Sequence, residues 1–368
     1  MSNIAVSGPG NASLSALIQQ YYMPVLYDNI FKKSHPLLAI MKQKAQTFNG
    51  REIIVPVEYQ AGGATVFGDR HGVANADSPA TGYTPAKADI AQTASYKPTM
   101  LTGHFLLTKE ETLLMNSPQA IKNIVGAKVQ NLQKQLEKVV AENMFTTSLA
   151  TDAFNPLGVL LGEGAGTVGG ITVALSPASN TFWQTPVLGI ADFADESGDV
   201  SPSPSVDHIS ENDMQDPGKD TYILRILARG IANAKAQTGE NPDLIVMSQY
   251  HYDLLESELG EFKRGNLESD RLAKMGFSGM SYRGIDIVAD QDIVTAQSSD
   301  TDGRIYFLNT NYLYMFFNSG AKFTASDMVE DPQSNTFVQK VHTYGNMVVT
   351  NRKAHCVVTE LYSPQSYA

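Results

Sequence analysis

The run GREIIVPVEYQAGGATVFGDRHGV, residues 50–73, starts as a strand and then dissolves into glycine, alanine and isolated charges. A second strand-like run, ADIAQTASYKPTMLTGHFLL (88–107), follows after a further polar stretch. In residues 51–59, Ile53, Val55, Val57 and Tyr59 fall on one face and Glu52 and Glu58 on the other, the period of a half-buried strand. Pro56 has no amide hydrogen for a ladder, which places this run at a sheet edge or in a locally irregular strand. The connecting segment 60–87 holds Gly62, Gly63, Gly68, Gly72 and Gly82 with Pro79 and Pro85. It far exceeds the ~2–5 residues of an ordinary hairpin loop. Two readings stay open: a disordered surface loop, and a long two-stranded arm whose tip orders only against another molecule. A two-stranded ribbon has no second layer and is marginal in water. Strands of about ten residues reach roughly 33 Å, too far to lie comfortably on their own domain.

The rest of the chain has ordinary globular composition. It has 368 residues, 42% hydrophobic and 18% charged, enough for one large or two medium cores. No run approaches the ~20 apolar residues of a membrane span. The first residues, MSNIAVSGPGNASLSALIQ, lack the basic flank and apolar stretch of a secretory signal. A single cysteine, Cys356, excludes an intramolecular disulfide and fits a reducing cytoplasm. The formal charge of −11 and scattered basic residues disfavour a direct grip on nucleic acid, whose phosphates call for a basic stripe. The densest basic run is Lys32-Lys33, with Lys42, Lys44 and Arg51 further on.

Residues 1 to about 25 are small and polar, VLYDNIFKKSHPLLAIMKQKAQTFNG then adds short apolar pieces broken by Pro36, and together they read as an arm with one or two short helices. The strongest helix follows the second strand run. Ser117 suits its cap and Pro118 its first position. Ile121, Val125, Lys128, Leu132, Leu136, Val139 and Asn143 form a seam widened by Ile124, Val129, Val140 and Met144. Extended through Ser148, the helix spans roughly 46 Å, against a mean of about 11–12 residues for globular helices. Such a length asks for an extended, flat domain. Residues 155–185 read as turns and short strands, and 189–220 as a solvated, acid-rich excursion. From 221 a mixed pattern begins: a helix ending at Gly239, a strand in PDLIVMS, a helix in YHYDLLESELGEF, and strands in YRGIDIVAD and GRIYFLNTNYLYMFF. The run TFVQKVHTYGNMVVTNRKAHCVVTELY reads as a final strand pair.

Chemical motifs do not assemble into a site. Gly164-Ala-Gly166-Thr-Val-Gly169 has dinucleotide-loop spacing, but a strand rather than a helix follows it, so no helix N-terminus faces a pyrophosphate. The acids of 189–220 do not meet calcium-loop spacing. His35, His71, His104, His208, His251, His342 and His355 are dispersed. His355 and Cys356 are adjacent on a strand and point to opposite faces, a poor pair of metal ligands. Glu110 and Glu111 suit the first turn of a helix. No catalytic, cofactor-binding or metal residue is assigned; a hydrolase using the acidic loop is the alternative from another class.

The order of elements, rather than any one motif, resembles the major capsid proteins of tailed bacteriophages, with the Hong Kong 97-type fold. Asn29-Ile30-Phe31 and Ser34-His35-Pro36-Leu37-Leu38 resemble the N-terminal arm. Asn49-Gly50-Arg51 leads into IIVPVEY as the rising strand of the extended loop, and ASYKPTMLTGHFLLTKEE returns from it. The helix 118–148 resembles the spine helix. Gly169-Gly170-Ile171, Phe182-Trp183-Gln184, Pro242-Asp243-Leu244-Ile245-Val246, Gly303-Arg304-Ile305-Tyr306-Phe307-Leu308, Tyr344-Gly345-Asn346 and Asn351-Arg352 complete the series.

The resemblance implies an α+β fold: an arm (1–48), an extended loop (49–107), a peripheral domain (108–220) carrying the acidic insertion 189–220, an axial α/β domain (221–330), and return strands of the peripheral domain (331–368). It implies a non-enzymatic shell protein that joins itself into pentamers and hexamers around double-stranded DNA, assembled in the host cytoplasm into a virion capsid. Separate scaffolding, portal and decoration proteins are the implied partners; no cofactor or membrane is. An encapsulin-like nanocompartment shares the fold. Phe67, Asp69 and Arg70 are candidate contacts at the loop tip. Lys87 and Lys97 lie where some relatives carry a cross-linking lysine, and no partner or catalytic acid for such a bond is identified.

Overall fold

The computed structural model describes residues 35–59, 90–110, 118–149, 153–162, 166–175, 178–193, 208–259, 280–297, 299–322, 324–331 and 333–365. Helix α1 (Pro36–Gln43) opens on a proline, whose missing N–H is no loss at a first helical position, and buries Leu37, Leu38, Ile40 and Met41. Strand β1 (Gln46–Phe48) leads to β2 (Ile53–Glu58), which pairs antiparallel with β3 (Ala91–Tyr96). β4 (Thr99–Thr108) and helix α2 (Pro118–Met144) follow. Short strands β5 (Gly166–Val168), β6 (Ile171–Leu175), β7 (Ala178–Ser179) and β8 (Val187–Leu188) precede helix α3 (Ile223–Thr238). Then come β9 (Leu244–Met247), α4 (Gln249–Glu258), β10 (Met280–Tyr282), β11 (Ile285–Ala289) and β12 (Gly303–Leu308). The chain continues with β13 (Leu313–Asn318), β14 (Thr324–Ala325), β15 (Val329–Asp331), β16 (Thr336–Val349) and β17 (Cys356–Leu361).

Two six-stranded sheets organise these elements. The first is built on β16, which takes β4 along one edge, β14 and β15 along the opposite edge, and β13 with β1 beyond. Helix α2 covers one face of β4. Gly103 permits this approach, since a Cβ there would lie 2.7 Å from Leu132 Cδ1. The second sheet runs β10-β11-β9-β12-β17-β8. All four residues of β9 are buried because both faces of that sheet are covered. Ile245 and Met247 join the core formed with α3 and α4, whereas Leu244 and Val246 join the core shared with α1 and α2. Helix α3 stops where Gly239 adopts a left-handed φ of 78° and donates to the Lys235 carbonyl.

Four expectations need correction. The run 88–107 is not one strand. The chain breaks at Lys97-Pro98, so β3 stays with the ribbon while β4 joins the first sheet, paired with β16 from Thr99↔Gly345 to Thr108↔Thr336. Helix α2 ends at Met144, short of Ser148, because the Thr146 hydroxyl and amide both turn back to the Asn143 carbonyl. Its buried stripe is Leu132, Leu136, Val140 and Met144, four residues apart, joined by Ala141, and Val139 is 44% exposed.

The acidic segment is not wholly a solvated excursion. Ile190 and Phe193 at one end, and Ile209 and Met214 at the other, are buried in the second core. Ser210 caps a short helix (Glu211–Gln215) through a reciprocal bond pair with Asp213. Finally, β16 and β17 do not pair. The chain crosses from the first sheet to the second between them, and from the second to the first between β12 and β13. The two crossings touch where Asn309 N donates to His355 Nδ1 at 3.2 Å.

Candidate assembly surface

The ribbon base is packed on its own body. Ile53, Val57, Ala94 and Tyr96 are 6%, 9%, 0% and 3% exposed, while Ile54 on the opposite face is 64% exposed. The alternation expected for 51–59 therefore holds, but the described base does have a second layer. That layer is the β5–β6 turn. Val168 pairs with Ile171, so Gly169 and Gly170 form a two-residue turn at φ 60° and 76°, a geometry that favours glycine at both positions. Ser95 N donates to Gly169 O at 2.8 Å. Trp183 Nε1 supports the hairpin from behind through Val168 O at 3.0 Å. Tyr96 Oη donates to Val349 O at 2.9 Å, and burial pushes its phenol well up. Where the described ribbon ends, Tyr59 stacks on Phe182 at 4.8 Å.

A Cβ on Gly169 would lie 3.0 Å from both Ala94 Cβ and Tyr96 Cζ, whereas one on Gly170 meets nothing within 4 Å. Gly169→Val is therefore expected to cost about 2–4 kcal/mol, backbone strain plus overpacking. Gly170→Ala should cost about 1–2 kcal/mol, strain alone. Urea midpoints of the two variants check the order; equal losses would contradict this docking.

Beyond the ribbon, the first sheet presents an open face. Outward residues of β4 include Met100 at 57% and Leu106 at 49% exposure, and β15 contributes Val329 at 64%. Leu106 pairs with Val338, which pairs with Val329, so an apolar row crosses three strands. Inward residues Leu101, Phe105 and Leu107 instead pack with the side chains of α2, β16 and their surroundings. Among the described residues β4 pairs only with β16, so it is an edge strand ten residues long. Long edges of this kind are templates for association.

The arm is anchored by charge. His35 Nδ1 lies 2.6 Å from Asp292 Oδ2, and the Leu37 amide donates to Asp290 Oδ2 at 3.3 Å. Lys42 reaches Glu137 of α2 at 2.6 Å. Burial, then the neighbouring Asp292, pushes the Asp290 carboxyl up to about 6. Burial drives two other imidazoles the opposite way, His251 to about 4 and His355 to about 3.

These shifts set the acid response. The imidazoles are depressed below their ordinary value near 6.5, so their contribution is present above it and lost as pH falls toward 4. The raised Asp290 opposes them, contributing below about 4 and losing that contribution as pH rises through about 6. Two imidazoles outweigh one carboxyl, so the urea midpoint should fall between pH 7 and 4.5. Asp290→Asn should steepen the fall. A midpoint that rises on acidification would contradict the balance.

Of the sequence candidates, Phe67, Asp69, Arg70 and Lys87 lie outside the described residues. Lys97 is exposed at the break between β3 and β4, and its carbonyl accepts from Asn346 Nδ2 at 2.7 Å. Cys356 is buried and its thiol is pushed up to about 12 by burial. Of the glycines with dinucleotide-loop spacing, Gly164 lies outside the described residues, Gly166 begins β5, and Gly169 with Gly170 forms the turn that β6 follows. Arg352 and Asn346 are parts of the resemblance to which the sequence gives no role. Each proves to tie distant loops together through backbone groups, Asn346 through the Asn155 amide at 2.7 Å as well as Lys97. A polar residue inside an apolar run, as in NMVVTNR, was the available signal.

No protein-family model and no curated protein matches this chain. Solved structures do. The capsid asymmetric unit of cyanophage A-1(L) is similar with a TM-score of 0.60 at 16% identity, over 95% of this chain and 99% of that one. The capsid of Myoviridae phage XM1 is similar with a TM-score of 0.51 at 11% identity, over 92% and 95%. The holo-SrpI encapsulin complex from Synechococcus elongatus PCC 7942 gives 0.51 at 8% identity, over 92% and 93%. The α+β architecture of this chain is therefore the Hong Kong 97-type fold found in phage capsids.

Proposed function

We propose that this chain is a major capsid protein whose copies join into pentamers and hexamers of an icosahedral shell around double-stranded DNA. The observation carrying the reading is the near-full-length likeness to a capsid asymmetric unit. Its role is structural rather than enzymatic. Described acids of the 189–220 segment are engaged locally, Asp213 by Lys219 and Asp220 by Arg225 at 2.8 Å. We assign 1–48 to the arm, 49–107 to the extended loop, 108–220 to the peripheral domain and 221–330 to the axial domain. In this assignment β13 crosses into the peripheral sheet and β17 into the axial one.

In the shell the extended loop, 49–107, of one copy lies across the next, and the open face of β4, β16 and β15 receives a neighbouring copy. Head-to-tail contacts related by rotation close into rings. The net charge of −11 suits a wall that does not hold its packed DNA tightly. Scaffolding, portal and decoration proteins are the partners such a shell would take, and assembly is in the host cytoplasm.

Deleting 64–86 tests the role of the loop. The expected product is a folded, soluble subunit that forms no shells by electron microscopy, and normal shells would refute it. A nanocompartment shell is the second reading, favoured by the encapsulin likeness. Particles isolated with an enzyme inside rather than DNA would reverse the choice.

A further inference from the structure

The end of α2 meets the second sheet around a small cavity lined by Phe145, Thr147, Gln297, Asp302, Arg304 and Tyr306. About 10 Å³ is open there to the centre of a water molecule. Tyr306 is 1% exposed; the Arg304 side chain lies beside its oxygen as a donor, which leaves the hydroxyl's own hydrogen without an acceptor among the described residues. Both polar atoms of the Gln297 side chain are likewise sealed from solvent without a described partner. Arg304 is turned to Asp302, donating through Nε at 3.1 Å and Nη2 at 2.8 Å, so the charges on this wall already answer one another.

Burying an unmet polar group costs about 1–3 kcal/mol, and three such atoms in one place make a dry arrangement expensive. We propose that one ordered water molecule is bound here, accepting from Tyr306 Oη or Gln297 Nε2 and donating to Gln297 Oε1. The space suits a single water, which needs two to four polar partners and about this volume, and excludes a larger ligand. The pair of charged side chains, already matched, gives an ion no reason to enter. Such a water forms a hydrogen-bonded joint between α2 and the second sheet.

Two measurements test the proposal on the full chain. A density map of the wild-type protein at better than about 2 Å should show a peak within hydrogen-bond distance of Tyr306 Oη and the Gln297 amide. Ordered side chains with no peak, or a direct Tyr306–Gln297 bond, would overturn it. The sign of the Tm shift gives the second reading. In a hydrated site Tyr306→Phe removes a bond and lowers Tm by about 1–3 °C. In a dry site the same change relieves an unmet hydroxyl, so an unchanged or raised Tm would also overturn the proposal. Should Tyr306→Phe fail to fold, Gln297→Met carries the same sign test.

Discussion

Replacing Arg352 with leucine is expected to remove about 3–5 kcal/mol of stability, the largest loss from any single substitution considered. The side chain is 2% exposed. Nε donates to Leu160 O at 2.7 Å, Nη1 to Trp183 O at 2.8 Å and Nη2 to Gly162 O at 3.3 Å. Burial brings the guanidinium down to about 10, so it stays cationic at neutral pH. Its position explains the size of the effect. Arg352 lies on the crossing from β16 to β17, and its carbonyl partners come from two separate loops. Removing the fork leaves three carbonyls without their donor and loosens the support behind the Gly169 turn. Arg352→Lys should recover only part of the loss, because an ammonium cannot reproduce the planar fork. Denaturant midpoints of the two variants check this. A loss under about 1 kcal/mol for leucine would mean that other groups replace the guanidinium.

The second large effect concerns assembly, leaving folding intact. Leu106→Asp with Val329→Asp puts two charges on the open face of the first sheet, where the wild-type residues are 49% and 64% exposed. Exposed substitutions of this kind change subunit stability by about 0.5 kcal/mol each. Burying the same carboxylates unpaired beneath a neighbouring copy costs about 3–5 kcal/mol. The concentration needed for shell formation should therefore rise at least about a hundredfold. Light scattering follows assembly and thermal melting follows the subunit. Shells forming at the wild-type concentration would show that this face does not receive a neighbour.

Local chemistry made much of the architecture legible. The alternation of Ile53, Val55 and Val57 gave β2, the edge signal of Pro56 agrees with its membership of a two-stranded sheet, and Gly239 marked the end of α3. The strand following Gly169 ruled out a phosphate loop before any geometry was known. What escaped was set by tertiary pairing. Nothing local in YKPTMLTGHFLL says that Pro98 hands the chain from a ribbon to a sheet, because β4 is fixed by its ten-residue register with β16 far along the sequence. Val139 and Val140 carry the same side chain, yet one is exposed and the other buried, a choice made by where α2 meets its neighbours. Arg352 was visible as a residue but not as a support, since its three acceptors are backbone carbonyls and leave no side-chain pattern.

The central claim is that the chain completes itself only against further copies. Electron microscopy of the full chain, overexpressed and concentrated with and without assembly helpers, tests it most directly. Closed spherical shells are the predicted result. Subunits that stay single at every concentration, with residues 60–89 held rigidly against their own body, would contradict it.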